Sequence, residues 1–470
     1  MPIPAGSIPL APPTTGPLVY DPVLSRVRIN LSGLRATDAF GRTVSAGWGT
    51  ADTGQVWSVT DGTAAQHSVN GSVGQHSVNA LNTLFRDRLD VDYADFDLLM
   101  LAKVSVSPTG LYLRHQVDFR YIDALNYYAA RVHIQTSGAI DLMLIRVLGG
   151  VESTLQAAAT GQTHVPGTAL VFDVQTRGST LRAKVWRDGL TPPLNWQVEV
   201  TDASHPSGAV TVASLLPPGN TNTLPVAVQY DGLTVIPTLT VQRSTDQNRW
   251  TTVRGGFEMV PDAGVLRLDD YEFTPDTVNY YRVGNLFSGS IVPPLGGVWL
   301  KSLSRPFLNR QVVVRDYSDV GRRSRAGVFD VKGRSLPVAV TDVRGSRQWT
   351  LDVNTYSDKE RSDLDLLLAS GDVLLVQVPP NAGRISAVPS GYVLVGDSRE
   401  VTPPTAELEW RVFSLPLTEV AAPGPDVVGT TSTWQSVLNA YATWAEVLAA
   451  HPTWADLQEL IGDGTEVIVS

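Results

Sequence analysis

Polar and apolar residues alternate with a period of two along most of this chain, which is the pattern of strands buried on one face. In residues 24–34, LSRVRINLSGL, Val27, Ile29 and Leu31 alternate against Arg26, Arg28 and Asn30. The same spacing predicts strands at 98–106, 111–120, 127–135, 140–147, 169–176, 180–187, 195–201, 209–214 and 226–235. Turn residues punctuate them, among them Pro108-Thr109-Gly110, Ser137-Gly138, Gly149-Gly150 and Asp188-Gly189. Residues 238–284 alternate in shorter runs. Residues 295–420 predict strands at 311–316 and 327–331, a strand pair at 336–343 and 348–355, then strands at 373–378, 392–399 and 406–416. Helical spacing occurs in SDKERSDLDLLLASG, where Ser357 is the expected N-cap, Glu360 its capping-box partner, Gly371 the stop, and Leu364, Leu367 and Leu368 the apolar face. Near the end Thr433-Trp434, Thr443-Trp444 and Thr453-Trp454 repeat every ten residues, each Thr placed to cap a helix of about two turns. Helices that short are unstable alone, so Trp434, Trp444 and Trp454 are expected to bury against another surface, as subunit contacts.

At 470 residues the chain exceeds what one core supports, and 40 Gly and 31 Pro suit many short strands joined by turns. The expected fold is mainly β and multidomain. A net charge of -10 argues against a nucleic-acid partner. Arg322, Arg323 and Arg325 are the local exception: a solvated loop, or a salt-sensitive contact with an acidic neighbouring subunit. With no cysteine, neither disulfides nor thiolate metal sites contribute. The opening MPIPAGSIPLAPPTTGPL lacks a basic region and is broken by prolines, so a secretory signal is not expected. No apolar run reaches the ~18 residues of a membrane span, and no membrane insertion is expected.

The segment DAFGRTVSAGWGTADTGQVWSV, residues 38–59, resembles the opening of laminin-G/concanavalin-like sandwich domains in tail proteins of actinobacterial phages. IDALNYYAARVHI, STLRAKVWRDG and NWQVEVTD resemble the same family. LTVQRSTDQNRWTTVRGG with LRLDDYEFTPDTVNYYRVGN looks like a fibronectin type III module, with Trp250 as its buried tryptophan. That stretch is too short for a whole module, so residues 24–34 are expected to supply its first strand and the sandwich to be an insertion. The strands around the acidic helix resemble the tail-hub split β-barrel, and the TW repeats resemble the C-terminal tails of actinophage minor tail proteins. The domain expectation is thus a Pro-rich arm at 1–23, a discontinuous fibronectin III-like module at 24–34 plus 236–290, and a concanavalin/laminin-G-like β-sandwich at 35–235. A tail-hub-like barrel at 295–422 and a Trp-repeat helical tail at 430–470 complete it.

The resemblance implies a virion protein of the phage tail tip or baseplate, assembled in the host cytoplasm as a trimer or hexamer beside other tail proteins. A concanavalin-like sandwich also implies host-surface glycans as ligand, with Asn126, Tyr127, Tyr128 and Trp48 as candidate contacts. Alternate strand residues face opposite ways, so one of Tyr127 and Tyr128 must be buried. No carboxylate string of the glycosidase kind occurs, and the chain is expected not to be an enzyme. The acidic run LDVDYADFD is expected to be a solvated turn, with Asp92, Asp95 and Asp97 as the calcium alternative. His67 and His76 fall nine residues apart in QHSVNGSVGQHSVNA, on facing hairpin strands, with no acid in sequence reach to complete a metal shell. The rival readings are a secreted carbohydrate-binding or glycan-cleaving protein and a purely structural tail spacer.

Overall fold

The computed structural model describes residues 16–402, 408–424 and 443–450. Two large sheets face each other between residues 36 and 237. One runs in the order Val151–Thr163, Ala139–Leu148, Asn126–Ile134, Leu113–Asp123, Gly208–Leu215, Phe85–Tyr93, Trp57–Asp61. The other runs Val198–Thr201, Thr180–Arg187, Leu170–Arg177, Phe96–Val104, Val226–Pro237, Gly74–Val78, His67–Asn70, Thr43–Val44, with Ala36–Asp38 also paired to Val226–Pro237. The alternation explains the packing. Phe96, Leu98, Met100, Ala102 and Val104 from one sheet meet Leu113, Val117, Phe119, Tyr128 and Val132 from the other in a single core. The glycine-rich opening segment closes one end, where Gly74 is required: a Cβ there would stand 2.7 Å from the Phe40 ring and 3.1 Å from Trp48.

Asp90 and Asp92 belong to the nine-residue strand Phe85–Tyr93, and only Ala94 and Asp95 form the turn. The longest strand among the described residues, Val151–Thr163, carries almost no apolar alternation and is an edge strand with no buried residue.

A smaller unit is made from both flanks of the sandwich. Leu18–Asp21, Arg26–Leu31 and Leu266–Asp270 form one sheet; Thr251–Thr252, Val241–Ser244, Asn279–Val283 and Phe287–Ile291 form a second. Val27 and Ile29 share a core with Val241, Tyr281 and Val283. Trp250 is not part of it: its ring lies half-buried under the Arg282 guanidinium at 4.2 Å. Trp299, from the following segment, fills that core instead.

The third unit is a closed barrel of six strands: Val298–Ser302, Arg310–Tyr317, Arg347–Thr355, Arg411–Glu419, Gly391–Val395 and Leu374–Gln377. Helix α1 (Asp358–Ala369) covers it through Leu364 and Leu367. Ser357 caps α1 by accepting from Glu360 N, while the Glu360 carboxylate accepts from Tyr356 N, and Gly371 ends the turn at φ +68°. The expected strand pair 336–343 with 348–355 does not form: Val338–Val340 pairs with Gly327–Phe329, and Arg347–Thr355 joins the barrel. Helix α2 (Trp444–Ala450) is capped by Thr443, as expected, and the Glu446 carboxylate accepts from Thr443 N to complete a capping box. Trp444 is 58% exposed, while Trp434 and Trp454 lie outside the described residues. Among the described residues no helix is long and apolar enough to cross a membrane.

Candidate ligand-binding face

On the seven-stranded sheet, the side chains turned away from the core build a polar array across the strands. Its members fall where register and alternation put them: Arg86 pairs with Asp61 and Ala213, Ala213 with Gln116, and Gln116 with Arg131. Ala213, and Ala129 opposite Asp118, leave room for long side chains to lie flat. Arg86 Nη1 donates to Asp61 Oδ2 and its Nε to Asp118 Oδ2, both at 2.9 Å. Asp118 Oδ2 also accepts from Thr211 Oγ1 at 2.7 Å, and Asp118 Oδ1 accepts from Gln116 Nε2. Gln116 Oε1 then accepts from Arg114 Nε at 2.7 Å and Arg131 Nε at 3.0 Å. Arg131 ends the chain with a bidentate pair on Glu152, both contacts at 2.6 Å.

Burial changes the electrostatics along this line. Arg86, Gln116, Asp118, Thr211 and Arg131 are almost wholly out of solvent, whereas Arg114 and Asp61 are half-buried and the Glu152 side chain is 47% exposed. The hydrogen bonds from Arg131 hold Glu152 below the usual carboxylate range. Burial and the neighbouring Arg131 push the Arg114 guanidinium down to about 10. Asp118 and Glu152 only partly offset this, and the hydrogen bond from Arg114 Nε goes to the neutral Gln116 amide rather than to a carboxylate.

Aromatic rings flank the array at both ends. The Arg86 guanidinium sits 5.1 Å from the Tyr121 ring centre and 4.8 Å from that of Tyr127. Beside Arg114, the half-buried Tyr112 and His133 rings stack at 3.9 Å with 16° between planes.

The residues expected from sequence land elsewhere, apart from Tyr127. Tyr128 is fully buried in the core, stacked on Phe119 and bonded to Asp202. Trp48 is fully buried, stacked on His76 at 5.0 Å and in contact with Trp57 and Tyr230. Neither has a ring face left for a sugar. Asn126 ties its own turn, donating to Asp123 and accepting from Gly149 N. Tyr127 lies on the array's face but under Arg86, with 5% exposure.

The three aspartates of the calcium alternative do not converge. Asp95 is bonded to Arg120 and Gly178 N, Asp97 to Arg177, and Asp92 contributes its carbonyl to Asn285. Among the described residues the group that could hold a metal is His67, His76 and Asp87, with ligand atoms within 4.8 Å of one another. Asp87 is thus the acid that sequence spacing did not supply. His67 Nδ1 and His76 Nε2 lie 2.5 and 2.8 Å from the same Asp87 oxygen, and His76 Nδ1 lies 2.9 Å from Ser214 Oγ. Two ligand atoms around a tetrahedral zinc at about 2.1 Å stand roughly 3.4 Å apart. These shorter separations are hydrogen bonds among the three side chains, while His67 Nε2 and Asp87 Oδ1 are buried without a partner among the described residues. Burial opposes the Asp87 charge, yet the bonds from both histidines outweigh it and leave its pKa lowered; burial lowers His76 as well.

No protein-family model and no curated protein matches this chain in sequence. Solved structures similar to part of it include the carbohydrate-binding module CBM66 from Bacillus subtilis, at 13% identity and TM-score 0.26, covering 38% of this chain and 92% of that one. Others are a Bacillus licheniformis β-glucanase, at 9% and 0.33 over 43% and 97%, and a legume lectin-like domain from Entamoeba histolytica, at 7% and 0.28 over 39% and 89%.

Proposed function

We propose that this chain is a structural subunit of a phage tail tip or baseplate whose sandwich binds host-surface glycans through the outer face of its seven-stranded sheet. The observation that carries the binding half is the array from Asp61 to Glu152, with the Tyr112 and His133 rings beside Arg114. Stacked rings offer apolar surface to a sugar, and amide, hydroxyl and guanidinium groups fixed by mutual hydrogen bonds offer directed polar contacts at little ordering cost. Arg114, which is half-buried and hydrogen-bonded to an amide rather than to a carboxylate, favours glycans that carry a carboxylate or phosphate. The tail half is supported by the sequence resemblance of residues 38–59 and of the TW repeats. The subunit would act in a closed ring beside other tail proteins, where repeated weak contacts add up to firm attachment.

Binding suits this face better than catalysis. Glycoside hydrolysis needs a carboxylic acid that keeps its proton near neutral pH. Asp118 and Glu152 are each held by an arginine, and Glu152 is shifted the opposite way. A structural spacer is the second reading, favoured by the mutual hydrogen bonds of Arg86, Asp118, Gln116 and Arg131, which leave only Arg86 Nη2 of that group buried without a partner among the described residues. The test is retention of the full-length protein on actinobacterial cells and isolated envelope polysaccharide. Saturable binding competed by the free polysaccharide supports the adhesive reading; none by a folded, assembled protein leaves the spacer.

A further inference from the structure

Between the barrel strands Arg310–Tyr317 and Arg347–Thr355 the chain pairs Gly321–Arg322 with Arg347 and Gln348 at the sheet's edge and beyond them leaves the barrel as an arm. Every residue of 318–344 is exposed except the half-buried Gly327. Within the arm, Gly327–Phe329 and Val338–Val340 pair only with each other, as a two-stranded sheet separate from that of the barrel. Val328, Phe329, Leu336, Val340 and Val343 are 65, 58, 77, 61 and 77% exposed. A lone two-stranded hairpin is marginal in water, and this one presents apolar side chains on both faces, with Phe329, Val338 and Val340 on one and Val328 on the other. Such a patch marks an interaction surface.

Charge identifies what would cover it. Arg322, Arg323, Arg325, Lys332, Arg334 and Arg344 face only Asp319, Asp330 and Asp342 in the arm, so the arm is basic within a chain of net charge -10. At its base Arg323, Ser324 and Arg325 line an open hollow with Ser346 and Gln348. The same barrel carries a complementary patch on α1. Asp358, Asp365, Leu366 and Ala369 lie on the exposed side of that helix, Leu366 is 56% exposed, and Tyr356, just before it, is 55% exposed. Asp363 and Arg361, by contrast, are already paired with Arg310 and Glu400.

We propose that the arm docks on helix α1 of a second copy of this chain, its apolar side chains against Leu366 and Tyr356 and its arginines toward Asp358 and Asp365. Donor and acceptor are different patches, so the contact is heterologous, and head-to-tail repetition closes a ring. The proposal rests on the assembly half of the function given above and names the contact that makes the assembly.

The chain has no cysteine, which allows a clean cross-linking test on the full-length protein. The Leu336→Cys, Leu366→Cys double variant, oxidised after purification, is expected to give disulfide-linked dimers and higher species that neither single variant gives beyond dimer. In parallel, light scattering of the triple variant Arg323→Glu, Arg325→Glu, Arg334→Glu is expected to show association weakened at least tenfold. Adding Asp358→Arg and Asp365→Arg to the triple variant should recover it. All these positions are exposed, and an unchanged melting temperature verifies folding. Assemblies without the cross-link, or indifferent to the triple variant, overturn the arm contact and leave assembly standing. A chain that stays monomeric at every concentration overturns the assembly reading as well.

Discussion

Arg86 reaches over Ala213 of the intervening strand to bond Asp118 at 2.9 Å, and both side chains are almost wholly shielded from water. Removing Asp118 leaves a buried guanidinium with Asp61 as its one remaining carboxylate partner among the described residues, beside the Tyr121 and Tyr127 rings. Asp118→Ala is therefore expected to cost about 3–5 kcal/mol of stability. Glu152→Ala removes a partner that is itself 47% exposed and leaves Arg131 its Gln116 bond, so it is expected to cost less, about 1–3 kcal/mol. Chemical denaturation of the two variants reads the difference, and equal losses would mean that the array is not anchored at Asp118.

His115 is fully buried on the core side of the same strand, and neither ring nitrogen has a hydrogen-bond partner among the described residues. Burial, then the neighbouring His164 and His76, push its pKa down to about 3. An unfolded histidine titrates near 6.5, so between about 6.5 and 3 the unfolded chain takes a proton that the fold refuses. Stability from this group is complete above the unfolded pKa and falls as pH drops, by at most about 1.4 kcal/mol per unit. His115→Leu should flatten the decline between pH 6.5 and 4.5 in melts of the full chain. An unchanged slope would show that His115 already charges in the folded protein.

Lys301 joins two units: from the barrel strand Val298–Ser302 its Nζ donates to the carbonyls of Ser25 and Tyr271. Burial lowers its pKa to about 7, against about 10.4 for a free lysine. Between those values the unfolded chain binds a proton that the fold does not, so this group's contribution makes stability rise with pH. Lys301→Met should remove that rise between pH 7.5 and 9, measured as the difference between wild-type and variant denaturation curves. Parallel curves would place the lysine's charge inside the fold.

Tyr128→Ala empties the space between Phe119 and His205 in the sandwich core. A loss of about 3–5 kcal/mol is expected, with a lower melting temperature and no ligand present. An unshifted melting temperature would contradict the burial of this ring.

Alternation alone located nine of the sandwich strands, because a half-buried strand writes its core face into every second residue. It failed where that mark was weak or misread. Val151–Thr163 buries nothing, and the acids of Phe85–Tyr93 looked like a turn although Phe85, Asp87, Leu89 and Val91 point inward. The candidate face was hidden for a related reason. In LRHQVDFR the polar positions Arg114, Gln116 and Asp118 were legible as one side of a strand, but a solvated side and an ion-paired one read alike. Which residues meet there depends on sheet order, since Arg86 and Asp118 stand 32 positions apart and Asp87 lies 20 and 11 from its two histidines. Trp48 and Tyr128 stood out as aromatics in family-like phrases, yet large rings serve a core as readily as a sugar.

The central claim is that the face carrying Arg114 binds acidic glycan. The most direct measurement is calorimetric titration of the full-length protein with size-fractionated envelope oligosaccharide, comparing wild type with Arg114→Ala and His133→Ala at matched stability. Saturable binding that weakens about tenfold or more in each variant is the predicted result. Binding that both variants leave unchanged, or no saturable binding by the wild type, would contradict it.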